Sequence, residues 1–233
     1  HQVNVFTNPR VAVISSGDEL VPVEATPLAH QIRRSNTYAL AASVQQLGCE
    51  HKQFHLPDDK LQIQQHVADI LLKYDVLILS GGVSKGKFDF IPEALEAAGV
   101  KKLFHQVNQR PGKPFWFGVT DAGKVVFALP GNPVSTYMCF YRYIKPWLAA
   151  SLKQQVNAQH VALAIDFSFQ PNLTYFLQVE VKNENGNLKA YPIQGGGSGD
   201  FANLKRVDGF LELPSDRSVF KAGEVFEYFG FRG

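Results

Sequence analysis

Two cations and a set of carboxylates stand at turns of this chain, each beside glycine or proline. Arg110 and Lys113 flank a Pro111-Gly112 step, and Pro114 follows. Proline fixes φ and limits how far the lysine wanders, so both cations can converge on a tetrahedral oxyanion, the arginine binding two oxygens at once. A solvated turn is the competing reading. Asp18-Glu19 follows Gly17, Asp58-Asp59 follows Pro57, and Asp89 lies among Phe88, Phe90 and Ile91. Adjacent carboxylates on a loop can hold Mg²⁺ through oxygen and water ligands. Equally, Asp58-Asp59 reads as a helix N-cap, with one aspartate capping and the other facing the crevice. Asp89 reads as a cap, a metal ligand or a base.

Two glycine-rich loops accompany these charges. Ser80-Gly81-Gly82-Val83-Ser84 follows the apolar run Asp75–Leu79, and Leu129-Pro130-Gly131-Asn132-Pro133-Val134-Ser135 follows Val125–Ala128. Neither matches a P-loop or a dinucleotide fingerprint. Glycine still lets backbone N–H groups approach a phosphate or a pterin edge. The second loop opens a helix, whose free N–H groups attract anions, although Asn132 as cap and Pro133 in the first turn are also ordinary helix design. A further glycine run, Gly195–Gly199, contains Ser198. It reads as a flexible hairpin tip or as an element reaching a neighbouring site.

The elements that must position these loops alternate. Val11–Ser15 reads as a strand, Ser35-Asn36 as a cap for a helix ending at Gly48, and Glu50–Leu56 as a strand. A helix with Leu61, Val67, Ala68, Leu71 and Leu72 on its apolar face follows. Strands at Asp75–Leu79, Lys101–Val107 and Lys124–Ala128, a short helix closed by Gly99, and a helix from Pro133 to Ala150 disturbed at Pro146 complete this half. Such alternation predicts an α/β three-layer sandwich with a mostly parallel sheet, whose ligand crevice lies at the carboxyl ends of the strands. Past residue 150 the helical period stops. Val161–Phe169, Tyr175–Val181, Leu188–Tyr191, Gly209–Leu213 and Val225–Phe229 alternate apolar and polar residues, which predicts a small all-β unit, barrel or sandwich. The expected division is 1–8 as the end of a preceding domain or linker, 9–150 as the α/β domain and 151–233 as the β domain.

Composition narrows the chemistry. A net charge of +2 gives no global basic field for nucleic acid. No segment is apolar enough to predict a membrane span or a signal peptide, and the expected location is the cytoplasm. Cys49 and Cys139 stand alone, and the seven histidines show no ligand spacing, which argues against a transition-metal site built from His and Cys.

In order and spacing these motifs resemble the molybdopterin molybdenumtransferases, the MoeA proteins similar to the C-terminal domain of gephyrin. The resemblance rests on Val11–Val21, Ile32–Asn36, Ser80–Ser84 with Asp89, Pro111–Pro114, Pro130–Ser135 and Gly197–Gly199. It implies insertion of molybdate into adenylated molybdopterin, with release of AMP and assistance from Mg²⁺. By position, Arg110, Lys113, Asp58 and Asp89 would be catalytic, and Glu19, Asp58 and Asp89 would hold Mg²⁺. Gly17, Gly81, Gly82, Ser84, Pro130, Gly131, Asn132, Pro133, Ser135 and Ser198 would bind substrate. Two positions depart from the pattern: Arg110 stands where lysine is common, and Gln178 where an arginine is expected. The resemblance also implies a homodimer, two further domains before this region, and contacts with the molybdopterin adenylyltransferase and with molybdoenzymes. An adenylyltransferase of the sibling type and a non-catalytic pterin-binding scaffold are the alternative functions.

Overall fold

The computed structural model describes residues 7–82, 90–155, 157–170, 172–193 and 201–232. Asp89, Ser84 and Ser198 lie outside the described residues. The chain opens with β1 (Val11–Ser16), then β2 (Leu20–Val21) and β3 (Ile32–Arg33), which pair with each other, α1 (Asn36–Gln46), β4 (His51–Leu56), α2 (Lys60–Lys73), β5 (Val76–Ser80) and α3 (Ile91–Ala97). It continues through β6 (Lys101–Phe104), β7 (Gln109–Arg110), β8 (Trp116–Val119) and β9 (Val125–Leu129). Then come α4 (Pro133–Cys139), a π-helical turn at Phe140–Ile144 and α5 (Lys145–Ser151).

Six of these strands form one sheet in the order β4-β1-β5-β9-β8-β6. The first four run parallel, and β8 runs antiparallel to both of its neighbours, β9 and β6, so the sheet is mixed. Every residue of β1, β5 and β9 is buried. The cause is visible in their side chains. Val11, Val13, Ile78 and Phe127 pack on one face with α1, α4 and α5, while Ala12, Ile14, Leu77 and Val126 pack on the other with α2 and α3. A strand covered on both faces must be apolar throughout, which is why these three read so clearly in the sequence.

Several expectations change. The apolar stripe of α2 is Ile63, Val67, Ile70 and Leu71, whereas Leu61 and Leu72 are 75% and 76% exposed. The strand expected over Lys101–Val107 stops at Phe104, after a register shift between Lys102 and Phe104. β8 was not expected, because Gly118 interrupts its apolar run. Its Cβ position is taken by the Trp116 ring, 2.5 Å away, and the Lys101 carbonyl, 2.8 Å away, so a strand here requires glycine. The disturbance expected at Pro146 falls in the turn before it. Proline has no N–H for the Arg142 carbonyl, and the backbone widens so that Lys145 N–H bonds to Phe140 O instead.

The remaining strands are β10 (Gln159–Leu163), β11 (Phe167–Ser168), β12 (Thr174–Glu184), β13 (Asn187–Pro192), β14 (Gly209–Leu213), β15 (Val219–Phe220) and β16 (Val225–Gly230), with a 3-10 turn at Phe201–Lys205. The run expected as one strand over 161–169 is divided between β10 and β11. In the second sheet, β13-β10-β16-β14-β12 closes on itself through a β12–β13 pairing, and β7 joins at β12. Val161, Leu163, Val179, Leu211 and Leu213 fill its interior. The β7 pairing, Thr174 with Gln109 and Tyr175 with Arg110, ties the Pro-Gly-Lys loop to this sheet.

Candidate functional site

Because β4, β1, β5 and β9 are parallel, the loops that leave them share one edge. The acidic loops occupy its β4–β1 end. Asp18 N–H donates to Asp58 Oδ2 at 3.2 Å, and Asp58 N–H donates to Asp18 Oδ1 at 3.1 Å. Each carboxylate thus fixes the other's backbone. Asp59 is the cap, accepting the Gln62 N–H at 2.8 Å, which leaves Asp58 to face the edge. The Glu19 carboxylate folds over Gly17, so close that a Cβ there would sit 2.6 Å from Oε1. His55, which the sequence did not single out, lies just behind, with Nδ1 3.0 Å from Ser15 Oγ. Burial lowers its pKa and Arg34 lowers it further, while Asp18, Asp58 and Glu19 oppose that shift. Among the described residues no three His, Cys, Asp or Glu side chains are grouped to hold a metal ion. Of the carboxylates expected to hold Mg²⁺, Glu19 and Asp58 stand on this edge and offer hard oxygen donors, while Asp89 lies outside the described residues.

Asn36 occupies the middle of the edge. Sequence reasoning placed it in a helix cap, yet Ser35 makes no side-chain cap bond and Asn36 reaches across the sheet. Its Nδ2 lies 2.8 Å from Gly131 O, 2.9 Å from Ser80 Oγ and 3.3 Å from Thr136 Oγ1. The Thr136 hydroxyl, in turn, donates within bonding distance of Pro130 O, at 2.7 Å. These bonds lock the β9 loop to the β5 loop, and Gly131 approaches Gly81 so closely that its Cβ would lie 3.6 Å from the Gly81 Cα. Gly82 has φ +70°, and a Cβ there would meet Ile91 Cγ1 at 2.6 Å. Asn132 and Pro133 stand at the start of α4, as expected, but Asn132 makes no side-chain cap bond.

At the far end the edge opens into a cleft of about 610 Å³ between the two sheets. Arg110, Pro111, Gly112 and Lys113 line one wall, Pro130, Asn132 and Ser135 the floor, and Phe167, Tyr175 and Gln178 the wall from the second sheet. Arg110 and Lys113 are exposed, and among the described residues neither forms a salt bridge. The Arg110 guanidinium sits 5.9 Å over the Phe169 ring, which stacks on Tyr175 with centroids 4.0 Å apart. Gln178 places a buried Oε1 here with no hydrogen-bond partner. The cleft therefore unites Arg110, Lys113, Pro130, Asn132 and Ser135, while Gly17, Glu19, Asp58, Gly81 and Gly82 belong to the acidic loop and middle of the same edge. Another cleft of about 480 Å³, between the π-helical turn and β16, contains none of the residues singled out from the sequence.

Two family models match the chain. Residues 12–150 match the family described as a probable molybdopterin binding domain, and residues 160–231 match the MoeA C-terminal region, domain IV. The molybdopterin molybdenumtransferase of Synechocystis sp. is 43% identical over 233 residues, 99% of this chain and 57% of that protein. The Staphylococcus aureus MRSA252 protein of the same name is 30% identical over 230 residues, 97% of this chain and 55% of that protein. A crystal structure of a molybdopterin biosynthesis MoeA protein from Pyrococcus horikoshii superposes with a TM-score of 0.80 at 32% identity, covering 98% of this chain and 56% of that one. The chain thus spans a little over half the length of these relatives. With residues 160–231 matching the MoeA C-terminal region and residues 12–150, more than half of its length, matching the other model, the chain belongs to the family of probable molybdopterin binding domains.

Proposed function

We propose that this chain carries the substrate-binding part of a molybdopterin molybdenumtransferase, which inserts molybdate into adenylated molybdopterin and releases AMP. The observation that carries this reading is the cleft in which two cations without acidic partners, Arg110 and Lys113, face the start of α4. Such a site suits a tetrahedral oxyanion. Gly81, Gly82 and Gly131 stand on the strand-end loops beside it, where the phosphates and pterin of the second substrate would lie. Ser84 and Ser198 are assigned to that substrate on resemblance alone. Positioning and charge stabilisation dominate when an anhydride of phosphate is cut, and the loops of a rigid sheet edge supply both.

Glu19 and Asp58, together with Asp89, would hold Mg²⁺, which typically takes one or two carboxylates plus waters and substrate phosphates. Bound there, it would neutralise charge on the pyrophosphate. The activity belongs to a protein with the length of the relatives. In it, residues 9–150 act as a three-layer molybdopterin-binding domain, 151–233 as a small barrel-like β domain, and 1–8 as the link to what precedes. We assign it to a cytoplasmic homodimer; no helix among the described residues is long and apolar enough to cross a membrane.

The test is molybdate-dependent AMP release in the full-length protein. Lys113→Ala is expected to weaken molybdate binding by roughly tenfold to a hundredfold, the loss of one charged hydrogen bond. Asp58→Asn should leave molybdate binding intact and raise the Mg²⁺ concentration needed for half-maximal rate. Wild-type behaviour in both variants would sink the assignment.

A further inference from the structure

The π-helical turn holds both walls of the oxyanion cleft through two consecutive residues. Tyr143 points its hydroxyl at Gln109 Oε1, in a short hydrogen bond. Gln109 is 1% exposed, and its Nε2 donates to Gly112 O at 3.0 Å, with Cys139 Sγ 3.8 Å from the same nitrogen. The neighbouring carbonyl of Lys113 accepts the Val107 and Phe115 N–H groups at 3.0 and 2.9 Å. The loop that displays Arg110 and Lys113 is thus pinned at two successive carbonyls, while both cationic side chains stand exposed. Arg142, one residue before Tyr143, packs its guanidinium 5.3 Å over the Tyr143 ring and reaches the second sheet. Its Nε lies 2.7 Å from Glu212 Oε2 on β14, and its guanidinium 4.9 Å over the Phe229 ring. Glu212 is in register with Phe176, inside the Tyr175–Gln178 segment that lines the other wall.

This arrangement has a cost that core packing alone does not explain. A buried glutamine is tolerated only with both ends of its amide bonded, and an apolar residue would serve a plain core better. In return the amide fixes a loop carbonyl from beneath, at the point where Gly112 leaves no room for a side chain. The residues between Pro146 and the cleft use the widened helical turn to aim Tyr143 at one wall and Arg142 at the other. π-Helical insertions of this kind are frequent at functional sites.

We propose that Tyr143 and Gln109 are positioning residues for the oxyanion site, setting where Arg110 and Lys113 stand without touching the ligand. The inference rests on the reading of that cleft as the molybdate site. Tyr143→Phe keeps the ring and its packing on Phe115, centroids 5.2 Å apart, and removes the hydroxyl. In the full-length protein, titration calorimetry with sodium molybdate should show a Kd raised roughly threefold to tenfold, about 1 kcal/mol for one lost hydrogen bond. The rate of AMP release at saturating molybdate should stay within about twofold of wild type, a KM effect without a kcat effect. Amide exchange should accelerate at Val107 and Phe115 in particular, whose N–H groups bond the Lys113 carbonyl. Gln109→Met should do the same, and the double variant should be no worse than either single one, because one chain of bonds is broken once.

Unchanged molybdate affinity in both single variants, with Lys113→Ala weakened, would overturn this inference and leave the site intact. Unchanged affinity in Lys113→Ala as well would remove the oxyanion reading itself. Exchange that rises throughout the core around α4 and α5, with no preference for Val107 and Phe115, would mark a merely structural role and also overturn the proposal.

Discussion

The two ends of the strand edge carry opposite charge and are built by opposite means. At the acidic end, Asp18, Glu19 and Asp58 come from loops that leave adjacent parallel strands, and reciprocal side chain to backbone bonds hold them. Both loops leave neighbouring strands of one sheet, and the Glu19 carbonyl also accepts the Ile32 N–H at 2.8 Å. The cationic end is assembled across the molecule. Arg110 and Lys113 depend on the pairing of β7 with β12, on Gln109 beneath, and on a wall of Phe167, Tyr175 and Gln178 from the second sheet. Any displacement of the second sheet would therefore reshape the composite end, whose wall it supplies, and not the local one.

Breaking the composite end calls for the largest effect. Gly112 has φ +85°, and a Cβ there would lie 2.7 Å from Cys139 Sγ and 2.8 Å from Met138 Cε. Gly112→Ala is expected to cost about 3 kcal/mol, from left-handed backbone strain and overpacking combined. Calorimetric unfolding checks the loss, and Mg²⁺ binding to the surviving folded protein should persist. A stability loss below about 1 kcal/mol would mean that the loop yields easily and is not the rigid half of the cleft.

Sharpening the same end takes a gain of charge. Gln178→Arg adds a third cation where Oε1 now lacks a partner. Molybdate should bind roughly fivefold tighter, about 1 kcal/mol once solvent screening in an open cleft is allowed for. Its affinity should also fall more steeply with salt. Affinity and salt dependence equal to wild type would place Gln178 outside the reach of the ligand.

The contrast also explains what the sequence revealed. Strands buried on both faces, the Asp59 cap and the acidic loops are encoded within a few residues, so period and motif expose them. Gly17-Asp18-Glu19 and Pro57-Asp58-Asp59 could be placed on one edge before any coordinates, since parallel strands must align their ends. Tyr143 had no such signal. Its partner is 34 residues away, and its aim depends on a π-helical turn that a proline three residues later imposes. Asn36 was misread for a similar reason: a residue at a helix start looks like a cap, and its true partners, Ser80, Gly131 and Thr136, are 44 to 100 positions distant. β8 was hidden by a glycine that serves its neighbours' packing. Long-range pairing decides all three, and local pattern does not carry it.

The smallest effect probes the acidic end through pH. His55 is half-buried behind Asp18, Asp58 and Glu19, with Arg34 on its other side, and burial holds its pKa below the ordinary ~6.5 of an exposed histidine. Between that lowered value and about 6.5 the unfolded chain takes up a proton that the folded chain refuses. Linkage then requires stability to be complete above about pH 6.5 and to decline as pH falls through the folded-state pKa. His55→Gln removes the titration while keeping a side chain able to meet the Ser15 hydroxyl. Unfolding midpoints measured between about pH 5 and 8 should therefore slope less steeply in the variant than in wild type on the acid side, and run parallel to it above neutrality. Three carboxylates oppose the shift, so the difference in slope is small. Its sign is the informative part: a variant that loses stability faster on acidification would show that those carboxylates outweigh burial, and that the acidic end holds its histidine charged.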